Sequence, residues 1–194
     1  MIIGGLQACS FCDYPQKTAA VVFTQGCNFR CPFCHNGSLL DKRERGDLKE
    51  IDFFTFLKKR TGLLDGVVVS GGEPTQHQDL PCFIGKIRGL GFPVKLDTNG
   101  SNPQMVADLL DRGLLDYIAM DIKAPLTKYS RLCGVEVNCD NIVKTIDIIA
   151  QDGIPHHFRT TYMKTLLTDR DIAWIQSYLP ENSSYIIQQC NTGR

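Results

Sequence analysis

Six short β-prone runs alternate with helical segments along this 194-residue chain, and that alternation constrains the fold more than any other feature. Residues 18–25 (TAAVVFTQ), 67–69 (VVV), 93–96 (PVKL), 117–120 (YIAM), 156–163 (HHFRTTYM) and 184–189 (SYIIQQ) read as strands, because they are apolar or β-branched and are bounded by glycine and polar clusters. Helices are expected between them, where apolar residues recur at helical spacing between capping signals. Asp52 is expected to cap one that closes at Gly62, and a second runs to about Leu90. Asn102 caps a third that starts on Pro103 and stops at Gly113, a fourth covers residues 141–151, and Thr168 with Asp171 forms a capping box for a fifth. No hairpin signal joins neighbouring runs, so parallel strands with right-handed crossovers are expected. The first residues read as a turn, and residues 124–139 as a long loop. An open doubly wound sheet and a partial barrel both fit this pattern, and both place chemistry at the C-terminal ends of the strands.

The unusual residues fall at those ends, in stretches 26–35, 70–74, 97–100 and 121–123. The first holds Cys27, Cys31 and Cys34, spaced Cys-x3-Cys-x2-Cys with Phe33 directly before the last. Thiolates suit iron–sulfur clusters, zinc or copper(I), and three of them leave a four-coordinate metal with a position open for chemistry. Parts of the stretch match other chemistry. Cys31-Pro32-Phe33-Cys34-His35 satisfies the haem attachment pattern, Cys31-x2-Cys34 a redox pair, and Cys9-x2-Cys12 with Cys31-x2-Cys34 a four-cysteine zinc site. The redox pair and the zinc site both leave Cys27 unexplained. Ser70-Gly71-Gly72-Glu73-Pro74 offers close backbone approach and a carboxylate that can accept from an ammonium group, although Gly-Gly after a strand is also an ordinary tight turn. Asp97-Thr98-Asn99-Gly100, Asp121-Ile122-Lys123 and Arg159 add charges of both signs.

With 43% apolar residues, a chain of this length builds one core, so a single domain over residues 1–194 is expected. Lys plus Arg and Asp plus Glu number 21 each, which gives no footprint of a nucleic-acid or membrane-surface binder. The most charged stretch, residues 42–60, mixes both signs and reads as solvated surface. Without a basic leader or an apolar run of membrane-spanning length, the expected location is cytoplasmic. There Cys9, Cys12, Cys82, Cys133, Cys139 and Cys190 read as core or loop residues rather than disulfides or ligands of a second cluster.

The full cysteine spacing resembles the signature of the radical S-adenosylmethionine (SAM) superfamily, and residues 71–74 resemble its GGEP motif. That resemblance implies an α/β fold, a partial (β/α)6 TIM-like barrel of parallel strands. It implies a [4Fe-4S] cluster held by Cys27, Cys31 and Cys34, with SAM on the open iron and cleaved reductively to methionine and a 5′-deoxyadenosyl radical. Phe33 and the backbone near His35 are then expected against adenine, and Gly71, Gly72 and Glu73 at the methionine amino group. Asp97, Thr98, Asn99, Asp121 and Lys123 resemble the DTNG and DxK elements of the glycyl-radical-enzyme activases. In that branch these elements surround the sulfonium, carboxylate and ribose, in some members with a monovalent cation, here near Asp97 and Asp121. For Arg159 two readings stand side by side, contact with the carboxylate and a structural ion pair.

Ile3-Gly4-Gly5-Leu6-Gln7, Asp13-Tyr14-Pro15 and residues 21–31 are similar to the short anaerobic ribonucleoside-triphosphate reductase activating proteins, and this similarity spans almost the whole chain. It implies that the substrate is a glycine Cα of anaerobic ribonucleotide reductase and the electron donor a reduced flavodoxin or ferredoxin-type protein. Gln16 departs from that pattern, which has glycine after Asp-Tyr-Pro. The neighbouring readings are activation of a pyruvate formate-lyase type enzyme and a radical reaction on a small molecule or peptide. A non-catalytic zinc or redox protein stands furthest away.

Overall fold

The computed structural model describes residues 1–41 and 48–189, so the start of the charged stretch and Cys190 lie outside the described residues. Seven strands form one sheet: β1 (Ile3–Tyr14), β2 (Lys17–Thr24), β3 (Gly66–Gly71), β4 (Val94–Thr98), β5 (Tyr117–Asp121), β6 (His156–Tyr162) and β7 (Ser184–Gln189). They lie side by side in chain order, with β2 to β7 parallel and β1 antiparallel to β2. A doubly wound sheet reverses its strand order at a switch point. This order never reverses, which is the winding of a partial (β/α)6 barrel, and among the described residues no pairing closes β7 onto β1.

The helices are α1 (Glu50–Lys58), α2 (Leu80–Gly89), α3 (Pro103–Asp111), α4 (Tyr129–Cys133), α5 (Cys139–Asp152) and α6 (Asp169–Tyr178). Local chemistry sets their ends. The Asn102 side chain accepts from the Met105 N–H at the start of α3, Thr168 and Asp171 form the reciprocal capping box of α6, and Gly153 closes α5 at φ 81°.

Three expectations are corrected. The first residues form β1, a hairpin partner of β2, so the sheet is not wholly parallel. Gly4-Gly5 and the register shifts along β1 interrupt the alternation that would have marked it. Its turn places Pro15 first and Gln16 second, with Gln16 at φ 61°, a type II pattern whose second position favours glycine. Residues 124–139 contain α4, preceded by a 3-10 turn at Leu126–Lys128, and both are too short to show a period. Asp52 does not cap α1. Lys49 occupies that position, and Asp52 sits with Glu50 in the first turn, where carboxylates favour the helix dipole.

The sheet separates two environments by its period of two. Ala20, Val22, Val67 and Val69 join the main core beneath the helices, whereas Ala19, Val21 and Val68 pack with Tyr14 in a smaller cluster on the opposite face. Register carries that inner face across the sheet: Val68 pairs with Lys95, Lys95 with Tyr117, Asp97 with Ala119, Ala119 with His157, and Asp121 with Arg159. The inner face is therefore apolar toward the strand starts and charged toward the strand ends. Each large aliphatic side chain in the outer core contributes about 1.5–3 kcal/mol, which offsets the cost of that buried charge.

Candidate active site

The cysteine loop leaves β2 through Gly26, at φ 96°, and is tied at both ends. The Gly26 and Cys27 N–H groups donate to the carbonyls of Leu39 and Leu40 at 2.7 and 3.0 Å, and the Arg30 N–H donates to the Cys133 carbonyl at 2.7 Å. Phe29 is buried and meets Tyr129 edge-on at 6.4 Å, anchoring the loop to α4. Asn28 donates to Ser101 Oγ and accepts from Asn99 Nδ2, both at 2.9 Å, which ties the loop to the end of β4. Gly134 follows α4 because a Cβ there would lie 2.5 Å from the Arg30 carbonyl oxygen.

The thiols differ in their environments. Burial pushes Cys27 up to about 11. A hydrogen bond from Cys133 is the largest influence on Cys31 and, with the Lys123 charge, lowers it against the opposing effect of burial.

The GGEP turn is built against the same loop. A Cβ on Gly71 would sit 2.2 Å from the Thr24 nitrogen, and one on Gly72 would sit 2.1 Å from the Gly26 carbonyl oxygen. The backbones come this close because the Gly72 N–H donates to Thr24 O at 2.9 Å and the Glu73 N–H to Gly26 O at 2.8 Å. Glu73 itself is 1% exposed. Its Oε1 accepts from the Thr75 N–H, Thr75 Oγ1 and Thr98 Oγ1 at 3.1, 2.6 and 2.7 Å, and its Oε2 accepts from the Asn99 N–H at 2.7 Å. The carboxylate expected at a ligand's amino group thus mainly fastens the end of β3 to the end of β4. Burial raises its pKa despite these four donors.

A chain of alternating charges lies on the inner face beneath the cleft. Lys95 pairs with Asp97, Asp97 accepts from Arg159 Nη2 at 3.1 Å, Arg159 Nε pairs with Asp121, and Asp121 accepts from Lys123 at 3.0 Å. Burial alone would raise the Asp121 carboxyl, but Arg159 and Lys123 hold it well below the usual carboxylate range. Burial, with Lys95 and Arg159 nearby, brings His157 down to about 4, so it is neutral above that pH. The monovalent cation expected near Asp97 and Asp121 finds Arg159 already bridging the two carboxylates.

The candidate cluster and cofactor residues expected from the sequence all line one cleft of about 160 Å³ that is partly open to solvent. It brings Cys27, Cys31, Phe33, Cys34 and His35 together with Gly71, Gly72, Glu73, Asp97, Thr98, Asn99, Asp121, Lys123 and Arg159. Lys95, Asn28 and Cys133 were missed. Only Lys95 carried a usable signal, being two residues from Asp97 and hence on the same strand face.

The donor chemistry fits a multi-iron cluster. Three thiols on one loop open into the cleft, while among the described residues no three His, Cys, Asp or Glu side chains converge on a single ion. A cluster takes each thiolate on a different iron and so does not require that convergence. The four-cysteine zinc site does not form. Cys9 and Cys12 flank Ser10, which pairs with Ala19 near the start of β2, and the cysteine loop leaves the other end of β2. At about 3.3 Å per residue the two pairs lie on the order of 20 Å apart along the sheet.

Comparison with known proteins agrees with this arrangement. The radical SAM superfamily profile matches residues 21–176. A Methanocaldococcus jannaschii protein, provisionally named a glycyl-radical enzyme activating enzyme, is 34% identical across 97% of this chain and 79% of its own length. A provisionally named GTP 3′,8-cyclase of Pyrococcus abyssi is 28% identical across 69% of this chain and 43% of its own. Among solved structures, Streptococcus suis SuiB bound to S-adenosylmethionine superposes with a TM-score of 0.68 at 19% identity, covering 87% of this chain and 40% of SuiB, a likeness of fold. The chain therefore spans less than half the length of the cyclase and of SuiB. With the profile covering most of its length and a near-full-length relative among the activating enzymes, the chain belongs to the radical SAM superfamily, whose enzymes use a [4Fe-4S] cluster and S-adenosylmethionine.

Proposed function

We propose that this protein is a glycyl-radical-enzyme activase that installs a glycyl radical on anaerobic ribonucleoside-triphosphate reductase. The observation that carries the reading is the likeness, across 97% of the chain, to a relative provisionally named as such an activase. The Ile3-Gly4-Gly5-Leu6-Gln7 and Asp13-Tyr14-Pro15 stretches point to the reductase as the partner.

Cys27, Cys31 and Cys34 would hold the cluster through their thiolates, on a loop kept in place by Leu39, Leu40 and Cys133. When bound, the cluster and SAM supply one-electron cleavage of the sulfonium C–S bond, giving methionine and a 5′-deoxyadenosyl radical that can take a hydrogen atom from a glycine Cα. Phe33 and the backbone near His35 would pack on adenine. The backbone of Gly71 and Gly72 would face the amino group, while Glu73 holds their turn against Thr98 and Asn99. Arg159 and Lys123 carry charge suited to a carboxylate, and Asp97 and Asp121 carry charge suited to a sulfonium. The solvent-open side of the cleft leaves room for a glycine-bearing segment of a partner protein.

The electron donor would be a reduced flavodoxin or ferredoxin-type protein, and the location cytoplasmic. Among the described residues no helix is long and apolar enough to cross a membrane. A second reading, a radical reaction on a small molecule, is favoured by the likeness to the GTP 3′,8-cyclase.

Anaerobic reconstitution with iron and sulfide, followed by SAM and a reductant, tests the chemistry. The expected product is 5′-deoxyadenosine, and its absence from well-reconstituted wild-type protein would sink the reading. Cys31→Ala is expected to lose both the intact cluster and SAM cleavage. A Cys31→Ala variant that keeps the cluster and remains active refutes the assignment of Cys31 as a ligand.

A further inference from the structure

We propose that Thr161 and Gln188 recognise the protein substrate: on the rim of the cleft they hydrogen-bond the backbone of an extended, glycine-bearing segment that lies along the free edge of β7. The proposal deepens the activase reading above and rests on it.

A glycine has no side chain, so a site that delivers a radical to its Cα has only the flanking peptide groups by which to place it. Those groups call for side chains that both donate and accept, as a carboxamide and a hydroxyl do. Of the uncharged polar side chains that line the cleft, Asn36 is bonded to the Gly71 carbonyl, Ser70 to Asp97, Thr98 to Glu73 and Asn99 to Asn28. Thr161 and Gln188 also line it, and among the described residues neither side chain has a hydrogen-bond partner. They form one cross-strand pair between β6 and β7, two residues beyond the pair Arg159 and Ile186 and on the same inner face. They therefore stand above the buried charges, at the strand ends where the chemistry is placed.

The edge beside them suits another strand. β7 pairs with β6 without a register shift along its length, and among the described residues nothing pairs with its other side. Exposed edges are ordinarily blunted by charge, proline or bulges. The opposite edge strand, β1, carries three register shifts. Ser184–Gln189 (SYIIQQ) instead holds no charge, proline or glycine, and exposes Ile186 by 41% and Ile187 by 42%, one on each face. A segment paired there gains affinity through its backbone, and at a strand spacing of about 4.8 Å its residue beside Gln188 lies at the mouth of the cleft. A second copy paired through β7 would cover the edge but leave Thr161 and Gln188 unused, so the occupant is the segment that carries the glycine.

The test titrates the reconstituted protein, with SAM bound, with a synthetic peptide spanning the radical glycine of the reductase and in parallel with the intact reductase. In wild-type protein the peptide should slow amide hydrogen exchange in residues 184–189 and leave residues 3–14 unchanged. Thr161→Val and Gln188→Ala should each weaken the peptide by about five- to tenfold relative to SAM, the loss of about one hydrogen bond. Thr161→Ser keeps the hydroxyl and should bind the peptide as wild type does. Cluster content and melting temperature are read first, and the exchange measurement on wild-type protein stands if a variant does not fold. Peptide bound without slower exchange at 184–189 overturns the proposal alone, as do variants that lose SAM affinity by the same factor or lose no peptide affinity. Slower exchange there that grows with protein concentration in the absence of peptide assigns the edge to a second copy and also overturns it. Wild-type protein that binds SAM but neither the peptide nor an intact glycyl radical enzyme, of the reductase or the pyruvate formate-lyase type, overturns the activase reading and the proposal with it.

Discussion

Replacing Glu73 with glutamine tests whether its carboxylate is the fastening between the ends of β3 and β4. The wild-type carboxylate accepts three hydrogen bonds on Oε1 and one, from the Asn99 N–H at 2.7 Å, on Oε2. An amide has one acceptor oxygen, and in its best orientation that oxygen replaces Oε1 and keeps both Thr75 bonds and the Thr98 bond. The NH2 group then faces the Asn99 N–H, donor against donor. Losing a hydrogen bond to a charged acceptor costs about 1.5–3 kcal/mol, and a buried unsatisfied N–H costs about 1–3 kcal/mol. These overlap, and glutamine also avoids burying a charge, so a net loss of roughly 2 kcal/mol is expected. With a urea m-value of about 1–3 kcal/mol per molar, the midpoint should fall by about 1 M with the slope unchanged. Anaerobic urea unfolding at neutral pH reads this directly. Coupling to Thr98→Val should be non-additive, because the two changes remove different donors' bonds to one carboxylate, Thr98 on Oε1 and Asn99 on Oε2. A Glu73→Gln midpoint within about 0.2 M of wild type would refute the fastening, since it would place the lost hydrogen bond below any value in the range used.

Gln16 holds a positive φ that costs a non-glycine residue about 1–2 kcal/mol, partly offset by the larger chain entropy of glycine. Gln16→Gly should raise stability by roughly 0.5–1 kcal/mol in a thermal melt, and a drop would contradict the turn geometry. His157, brought down to about 4 by burial with Lys95 and Arg159, gives a pH dependence of definite sign. The unfolded chain takes up this proton below about pH 6.5 and the folded chain only near pH 4, so stability is lost as pH falls through that window, by up to roughly 3 kcal/mol. His157→Gln should flatten the change in urea midpoint between pH 7 and pH 5, and a variant with the wild-type slope would show that another group titrates.

The parallel strands could be read from the sequence because strands covered on both faces are continuous apolar runs, as at Val67, Val68 and Val69, all fully buried. The site could be read because each of its motifs directly follows such a run. What the sequence concealed depended on three-dimensional register or on elements too short to be periodic. The charged inner face is the clearest case: Lys95, Asp97, Asp121 and Arg159 share it only because β4, β5 and β6 pair as they do. Cys133 reaches Cys31 through α4, a five-residue helix with no recognisable period. Glu73 was found as a residue, yet its bonds were invisible, because the donors that enclose it come from the end of β4 as well as from its own turn. β1 escaped notice because its glycines and bulges remove the alternation that a half-buried strand normally shows.

The central claim, that the cleft passes a radical to a glycine of a partner protein, is tested most directly by electron paramagnetic resonance. The reconstituted protein, SAM and a reductant are mixed anaerobically with anaerobic ribonucleoside-triphosphate reductase and frozen. The account predicts an organic-radical doublet on the reductase, growing in step with 5′-deoxyadenosine and absent when the reductase glycine is replaced by alanine. Abundant 5′-deoxyadenosine with no doublet, on this reductase or on a pyruvate formate-lyase type enzyme, would contradict it.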